Sequence, residues 1–278
     1  MGKLKYIIDI NCFLPNSGGI VALHKLCHDL RKIGEESYVL SIKTHSLIDA
    51  PFLGDRRFTQ QETVVVYPEI VAGNPHNCHN VVRWALNTPG TCSNSRADDF
   101  YSAKKPTDLI FKYSDYFHLR DETESKGILT TTFVDENIFC PSNKHRSGSA
   151  FFVKKGGMPK SVHPADSIDL SKHEHDWQHM ASVLQQVEYF YCYDNACFWV
   201  VLAALCGCIP VVVPDSNMGA DEWYEKFPHK KCGVAYGMDK IQHAKDTKHL
   251  VHTNLELFYD KQLDTVRNFV KICEATFV

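Results

Sequence analysis

Residues 189–215, YFYCYDNACFWVVLAALCGCIPVVVPD, decide the fold that the sequence predicts. An aromatic strand pattern ends in a polar turn, an apolar helix follows, and Gly207 leads into a second apolar, valine-rich strand. A strand, a buried helix and a buried strand in succession are typical of a parallel sheet. The turn after the first strand then lies at the sheet edge where α/β proteins bind phosphorylated ligands.

The start of the chain repeats this alternation. Residues 5–10 predict a strand, residues 11–19 a loop that ends in paired glycines, and residues 20–33 an amphipathic helix that Gly34 ends. A second helix is predicted over residues 172–186. Strands are predicted at 37–41, 63–67, 80–86, 108–113, 127–133, 150–153, 167–170 and 233–237.

Residues 140–149, CPSNKHRSGS, combine proline, glycine and serine without apolar periodicity, which indicates a linker between two halves. The prediction is therefore an α/β protein with two Rossmann-like domains that face each other across a cleft. Residues 1–140 form the first domain and residues 150–250 the second. Residues 251–278 form a C-terminal helix that packs back on the body.

The composition is that of an ordinary globular protein, with 44% hydrophobic and 23% charged residues. A net charge of −3 and the lack of a basic aromatic patch argue against nucleic acid as a partner. Asp9 interrupts the first apolar segment, so we expect no signal peptide, and Gly207 and Pro210 divide the uncharged run that could suggest a membrane span. The eleven cysteines lack framework spacing, which favours reduced thiols in a cytoplasmic protein.

Several segments resemble the GT-B glycosyltransferases, in particular the family 4 or group 1 type. The first glycine loop, helix and strand, NSGGIVALHKLCHDLRKIGEESYVLS, are similar to that family, as are FVDENIFCPS at the domain crossing and FVKKG at the start of the second half. YCYDNACFWVVLAALCGCIPVVV resembles the donor-binding E-x7-E region with its Gly-x-x-Pro turn, and GVAYG resembles the turn after it. The resemblance runs through both halves in order, although the chain is a compact variant.

This resemblance implies transfer of a sugar from a nucleotide-diphosphate sugar, UDP- or GDP-linked, to a hydroxyl of a glycan acceptor. The chain has no Asp-x-Asp motif, so we expect metal-independent transfer without a cofactor. Gly18 and Gly19 open a helix and can bring backbone N–H groups close to a phosphate, although a tight turn alone would also explain them. Lys154 and Lys155 end a strand, where each would act as a point charge on phosphate or as part of a solvated pair.

The remaining donor candidates are Tyr193, which ends the predicted strand at 189–193, and the two residues that follow it, Asp194 and Asn195. Asp194 stands where the family has its first Glu and would bond sugar hydroxyls, while Asn195 would cap the following helix; a plain N-cap is the alternative for both. Leu202 stands where the family has the second Glu, which commonly holds the ribose. That contact is therefore absent or supplied elsewhere, and the nucleotide stays open.

An inverting transfer needs a base from the first half, whereas a retaining one does not, and the sequence leaves the two open. Asp115 is our first candidate because it directly follows a predicted strand, with His79 and Asp9 as others; a turn-forming Asp is the alternative. Arg83 and Trp84 lie on a predicted strand and are candidates for acceptor binding, with Trp84 stacking on a sugar face or packing in the core.

The spacing of His173, His175 and His179 suggests metal ligands, with the last two one helical turn apart. The flanks are polar and the second His of H-E-x-x-H is missing, so we predict a solvated helix face and no metal site. Two other functions stay open. A non-catalytic nucleotide-sugar or glycan-binding protein of the same fold agrees with the absence of the second Glu at position 202. A nucleotide-sugar-modifying enzyme should carry G-x-G-x-x-G, which is missing.

Overall fold

The computed structural model describes residues 3–10, 12–54, 61–91, 96–102, 104–154, 161–214 and 218–278. The chain forms two compact units. Unit 1 contains residues 1–133 together with 259–278, and unit 2 contains residues 134–258. Each unit is built on one parallel sheet with helices, so the predicted α/β class is confirmed.

Unit 1 contains a six-stranded sheet in the order β2-β1-β3-β4-β5-β6, with every described pair of neighbours parallel. All residues of β3, β4 and β5 are buried, as expected for central strands that are covered on both faces. The strands are Lys5–Ile8 (β1), Glu36–Val39 (β2), Thr63–Pro68 (β3), Asn80–Ala85 (β4), Leu109–Lys112 (β5) and Ser125–Ile128 (β6). The helices are Gly18–Lys32 (α1) and Ala97–Tyr101 (α2).

The long C-terminal helix, which we number α7 and which spans Val251–Phe277, contributes its residues from Tyr259 onward to unit 1. Phe269 is fully buried there, with its ring centroid 5.6 Å from that of Tyr6 and 5.1 Å from that of Phe111. These aromatic contacts anchor the end of the chain to the sheet through burial of a large apolar side chain.

The strand predicted at 127–133 was placed too late, because β6 ends at Ile128. The threonines that follow bond to helices and to Tyr113, the residue directly after β5, and do not continue the strand. Thr131 Oγ1 donates to the carbonyl of Ala22 in α1 (2.7 Å), and the Thr132 N–H donates to Gln262 Oε1 in α7 (2.8 Å). The β-branched threonines favour a strand locally, but their tertiary hydrogen bonds determine a different structure.

Unit 2 contains a five-stranded parallel sheet in the order β11-β10-β9-β7-β8. Its strands are Ser149–Phe152 (β7), Ile168–Asp169 (β8), Tyr189–Cys192 (β9), Ile209–Val212 (β10) and Ala235–Tyr236 (β11). Its helices are Trp177–Leu184 (α3), Trp199–Leu205 (α4), Ala220–Lys226 (α5) and Ile241–Thr247 (α6), together with residues 251–258 of α7.

The stretch at 189–215 forms β9, α4 and β10 in the predicted succession. Every residue of α4 is buried, because the helix is apolar on all sides. Gly207 has φ +89° and directly follows the C-cap of α4, a left-handed position that glycine adopts without steric cost. The sequence between Tyr189 and Val212 therefore determined its own local structure.

The segment predicted as a linker is tied into unit 2. The Arg146 guanidinium donates to the carbonyls of Leu184 (2.9 Å) and Val187 (3.2 Å) at the end of α3, and also to that of Cys206 at the end of α4. A cation at two helix C-termini neutralises carbonyls that have no partner within the helix. The polar composition of residues 140–149 indicated a linker, whereas these contacts make the segment part of unit 2.

Helix α3 begins later than predicted. Asp176 caps it by accepting the N–H of His179 (2.9 Å), so residues before Trp177 are outside the helix. His175 and His179 consequently do not lie one helical turn apart.

Candidate functional site

Open parallel sheets bind ligands beyond the carboxyl ends of their strands, at the point where the strand order reverses. In unit 1 this point lies between β1 and β3, and in unit 2 it lies between β7 and β9. We therefore describe the residues that follow these four strands, one unit at a time.

In unit 2 the structure places Lys154 after β7, and Tyr193, Asp194 and Asn195 after the adjacent strand β9. Lys154 Nζ lies 2.6 Å from Glu174 Oε2, so its charge is countered by a carboxylate. Lys155, the other lysine predicted to bind phosphate, lies outside the described residues.

Asp194 orders the turn that follows β9. Its Oδ1 accepts the N–H of Ala196 (2.9 Å), and its backbone carbonyl accepts the N–H of Cys197 (3.2 Å). Helix α4 begins only at Trp199 and has no side-chain cap, so the prediction that Asn195 caps it is wrong. The segment between β9 and α4 is too long for Asn195 to cap the helix, and the Asp194 carboxylate stabilises the turn instead.

Tyr193 is an anchor within unit 2, and the prediction that it contacts a donor does not agree with its surroundings. Only 3% of it is exposed, and its hydroxyl accepts the N–H of Val162 (2.9 Å) and donates to His163 Nδ1 (2.7 Å). The His163 ring stacks on Phe151 with centroids 3.9 Å apart. Burial lowers the pKa of His163, which favours the neutral imidazole that accepts this bond.

Lys230 also contacts the Asp194–Asn195 turn, and the sequence did not indicate it as a site residue. The side chain is fully buried, and its Nζ donates to the Asn195 carbonyl (3.2 Å). Burial lowers the pKa of Lys230 to about 8, and the nearby Cys197 thiol and Asp194 carboxylate oppose this only in part. The local sequence HKK is typical of a solvated surface, so nothing near Lys230 in the chain could have indicated its burial.

Leu202 lies inside α4 and is 7% exposed. A leucine here packs with the apolar side chains of the unit. The position that corresponds to the second Glu of the resembled family thus supplies packing and no polar group.

In unit 1 the reversal point holds a carboxylate–imidazole pair. Asp9 follows β1, and its Oδ2 lies 3.3 Å from Nε2 of His76, which lies in the β3–β4 connection. The Tyr67 ring stacks on the His76 ring, with 14° between their planes. The Tyr67 hydroxyl accepts the backbone N–H of His76 (3.2 Å) and donates to Asn74 Oδ1 (2.9 Å). Burial raises the pKa of Asp9, and His76 opposes this in part. The His76 and Asp9 side chains are 35% and 22% exposed, so solvent and ligands can reach the pair.

Gly18 and Gly19 form the first turn of α1, where Ser17 caps the helix by accepting the Ile20 N–H (3.4 Å). A Cβ at Gly18 would meet nothing within 4 Å, and one at Gly19 would lie 3.4 Å from Leu86 Cδ1. Packing therefore does not require a glycine at position 18. The tight-turn alternative does not explain that residue, whereas close approach of an anion to the helix amides would.

Two of the candidate bases, Asp115 and His79, lie at opposite edges of the sheet in unit 1. Asp115 follows β5 at the carboxyl edge, with its side chain 86% exposed and Oδ1 3.5 Å from Lys112 Nζ. His79 is exposed and precedes β4, which places it at the amino edge. His79 therefore lies at the opposite edge from the carboxyl ends of the strands, since parallel strands hold those ends at one edge, and its role as a base stays a prediction.

Arg83 and Trp84 are core residues, which does not agree with their predicted contact with an acceptor and agrees with the alternative that Trp84 packs in the core. Both are 0% exposed. Arg83 Nε donates to Asp108 Oδ2 (3.1 Å), and its other nitrogens donate to two backbone carbonyls. Trp84 Nε1 donates to the Leu129 carbonyl (2.9 Å). Because β4 is covered on both faces, successive residues that should alternate between core and solvent are all buried.

Within the described ranges no group of three or more His, Cys, Asp or Glu residues could hold a metal ion. The rings of His173 and His179 do lie close, with centroids 4.6 Å apart. The ten cysteines in that part of the chain are free thiols.

The site and fold define an α/β protein with polar groups at the reversal points of two parallel sheets. No protein-family model matches the chain, and no curated protein matches it. Among the helices that the structure describes, none combines the length and apolar character needed to cross a membrane.

Solved structures similar to the chain include two glycosyltransferases. Spinosyn forosaminyltransferase SpnP has a TM-score of 0.42 and 10% identity, over 99% of this chain and 100% of that one. The glycotransferase of kitacinnamycin has a TM-score of 0.38 and 8% identity, over 98% and 96%. The functional uncharacterized protein KP1_0663 from Klebsiella pneumoniae has a TM-score of 0.45 and 10% identity, over 80% and 88%. Likenesses this low do not carry a function over to this chain.

Proposed function

We propose that the protein is a GT-B glycosyltransferase of the family 4 or group 1 type, which moves a sugar from a nucleotide-diphosphate sugar to a carbohydrate hydroxyl. The observation that carries the proposal is the partly exposed pair of Asp9 and His76 at the reversal point of unit 1. Unit 2 has a different set at its own reversal point, with Lys154 beside an ordered polar turn. A base and an anion site are the two parts that this reaction needs.

The base is His76. With Nε2–H donated to the Asp9 carboxylate, the Nδ1 lone pair can accept the proton of an acceptor hydroxyl. The acceptor oxygen then forms a bond to the anomeric carbon, and the bond from that carbon to the nucleotide diphosphate breaks with its electron pair leaving on the phosphate oxygen. The Asp9 carboxylate stabilises the imidazolium that results. One direct displacement of this kind inverts the configuration of the sugar.

The donor lies at unit 2. Lys154 neutralises charge on the diphosphate in place of its present partner Glu174. Asp194 bonds hydroxyls of the donor sugar, while Asn195, which is only 3% exposed, shapes the turn. Lys154 supplies the positive charge that a metal-dependent transferase takes from its ion, so we expect full activity in excess EDTA.

The test is a panel of UDP- and GDP-sugars, with and without glycan acceptors, that follows nucleotide release and binding heat. Asp194→Ala should abolish donor binding in calorimetry, with Asp194→Asn as the milder variant if the turn fails to form. His76→Ala should lower kcat by at least about 100-fold while donor affinity stays within about twofold. Asp115→Asn is the matched control at the same sheet edge, and its kcat should match the wild type. Normal turnover in His76→Ala together with loss in Asp115→Asn would transfer the role of base to Asp115.

A non-catalytic nucleotide-sugar-binding protein is the second candidate, and the buried Leu202 favours it. That protein would bind the nucleotide sugar without releasing nucleotide in the presence of any acceptor. His76→Ala would then change neither binding nor turnover.

A further inference from the structure

Side chains from a distant part of the chain form hydrogen bonds to the turn after β9. The Asn195 carbonyl accepts two hydrogen bonds, one from Trp223 Nε1 in α5 (3.1 Å) and one from Lys230 Nζ (3.2 Å). Lys230 ends a short 3-10 turn, Pro228–Lys230, that follows α5. Both donors are 0% exposed, so water does not compete for this carbonyl.

Lys230 lies in an aromatic environment. Its Nζ is 4.2 Å from the ring centroid of Phe227 and 5.6 Å from that of Trp223. Burying an amine costs free energy unless its N–H groups and charge find partners. Those partners are the ring of Trp223 in α5, the ring of Phe227 directly after α5, and the Asn195 carbonyl and Asp194 charge of the turn. The amine therefore joins α5 to the turn at one point.

We propose that Lys230 and Trp223 are positioning residues that fix the Asp194–Asn195 turn in the geometry that binds the donor. This proposal rests on the proposed function, since the turn is there the donor site. Neither side chain is exposed, so neither contacts the donor itself. Loss of their hydrogen bonds should loosen the turn and weaken donor affinity, while the chemical step at unit 1 stays unchanged.

The experiment compares Lys230→Met with Lys230→Gln in the full chain. Methionine keeps the apolar stem without a donor, whereas the glutamine amide can still donate to the Asn195 carbonyl. Amide hydrogen exchange at Ala196 and Cys197, whose N–H groups bond to Asp194, reports the turn directly. Steady-state kinetics with a UDP- or GDP-sugar found active in the wild type separates KM from kcat.

We expect exchange at both amides to rise about tenfold in Lys230→Met, with a similar rise in donor KM and kcat within about twofold. Lys230→Gln should restore most of the wild-type values. If Lys230→Met does not fold, Trp223→Phe removes the second donor while keeping an aromatic ring, and the same changes are expected. Lys226→Met, on the exposed side of α5, should leave exchange and KM unchanged.

Unchanged exchange in Lys230→Met, or equal loss in the Met and Gln variants, would overturn the proposal. A fall in kcat with unchanged KM would also overturn it, because the turn would then act in the chemical step. A wild type that binds no nucleotide sugar refutes the proposed function, and the exchange data alone still decide whether Lys230 holds the turn.

Discussion

Replacing Lys230 by methionine should change how the stability of the protein depends on pH. The folded protein lowers the pKa of Lys230 from 10.5 to about 8 by burial. At about 1.4 kcal/mol for each pKa unit, the fold is destabilised by about 3 kcal/mol when this lysine is protonated. Below pH 8 this cost is present in full. It is lost as the pH rises from about 8 towards 10.5, because the folded state releases the proton first.

The free energy of unfolding of the wild type should therefore rise by about 2 kcal/mol between pH 8 and pH 10, relative to Lys230→Met. Urea unfolding followed by circular dichroism under reducing conditions measures it at each pH. Other groups that titrate in this range, such as buried thiols, are present in both proteins and largely cancel in the difference. Lys226→Met removes an exposed lysine of α5 and should give a curve parallel to the wild type. A constant difference between wild type and Lys230→Met across this range would refute the reasoning.

Three further perturbations test the fold and the site. Burial raises the pKa of Asp9, so its carboxylate destabilises the fold above that pKa; Asp9→Asn should raise the urea midpoint at pH 7, and the gain should shrink as the pH falls towards about 3. Phe269→Ala should lower the free energy of urea unfolding by about 3–5 kcal/mol, because the ring is fully buried. Leu257→Ala on the same helix, where the leucine is 57% exposed, should lower it by less than about 0.5 kcal/mol. Equal effects would contradict the packing of α7. Gly90→Ala should lower the melting temperature, since Gly90 has φ +87° and a Cβ there would lie 2.7 Å from the Ala97 nitrogen; Gly18→Ala has open space and should melt within about 2 °C of the wild type.

Much of the fold follows from local sequence. The stretch from Tyr189 to Val212 is apolar on all sides in α4 and β10, and burial on all sides is the one environment that accepts such a pattern. Local sequence also placed Lys154 and Asp194 after strands, whereas the pairing of β7 with β9 is what makes those two strand ends neighbours. The strand predicted at 127–133 failed because its threonines bond to helices from elsewhere in the chain.

The site itself depended on contacts between distant segments. Arg83 was predicted to contact an acceptor, yet it is buried because Asp108, on a different part of the chain, neutralises it. His76 meets Asp9 only because β1 and β3 are neighbours in the sheet. Lys230 is buried only because α5 and the turn after β9 close around it.

By itself the sequence determined the α/β class and the succession of strand, helix and strand from Tyr189 to Val212. These depend on periodicity, turn chemistry and burial patterns, all of which act within a few neighbouring residues. Tertiary structure alone decided which charged groups are buried and which titratable groups meet. The free energy of a charge depends on solvent access and on partners a few ångströms away in space, and neither can be derived from the chain order of Asp9, His76 and Lys230.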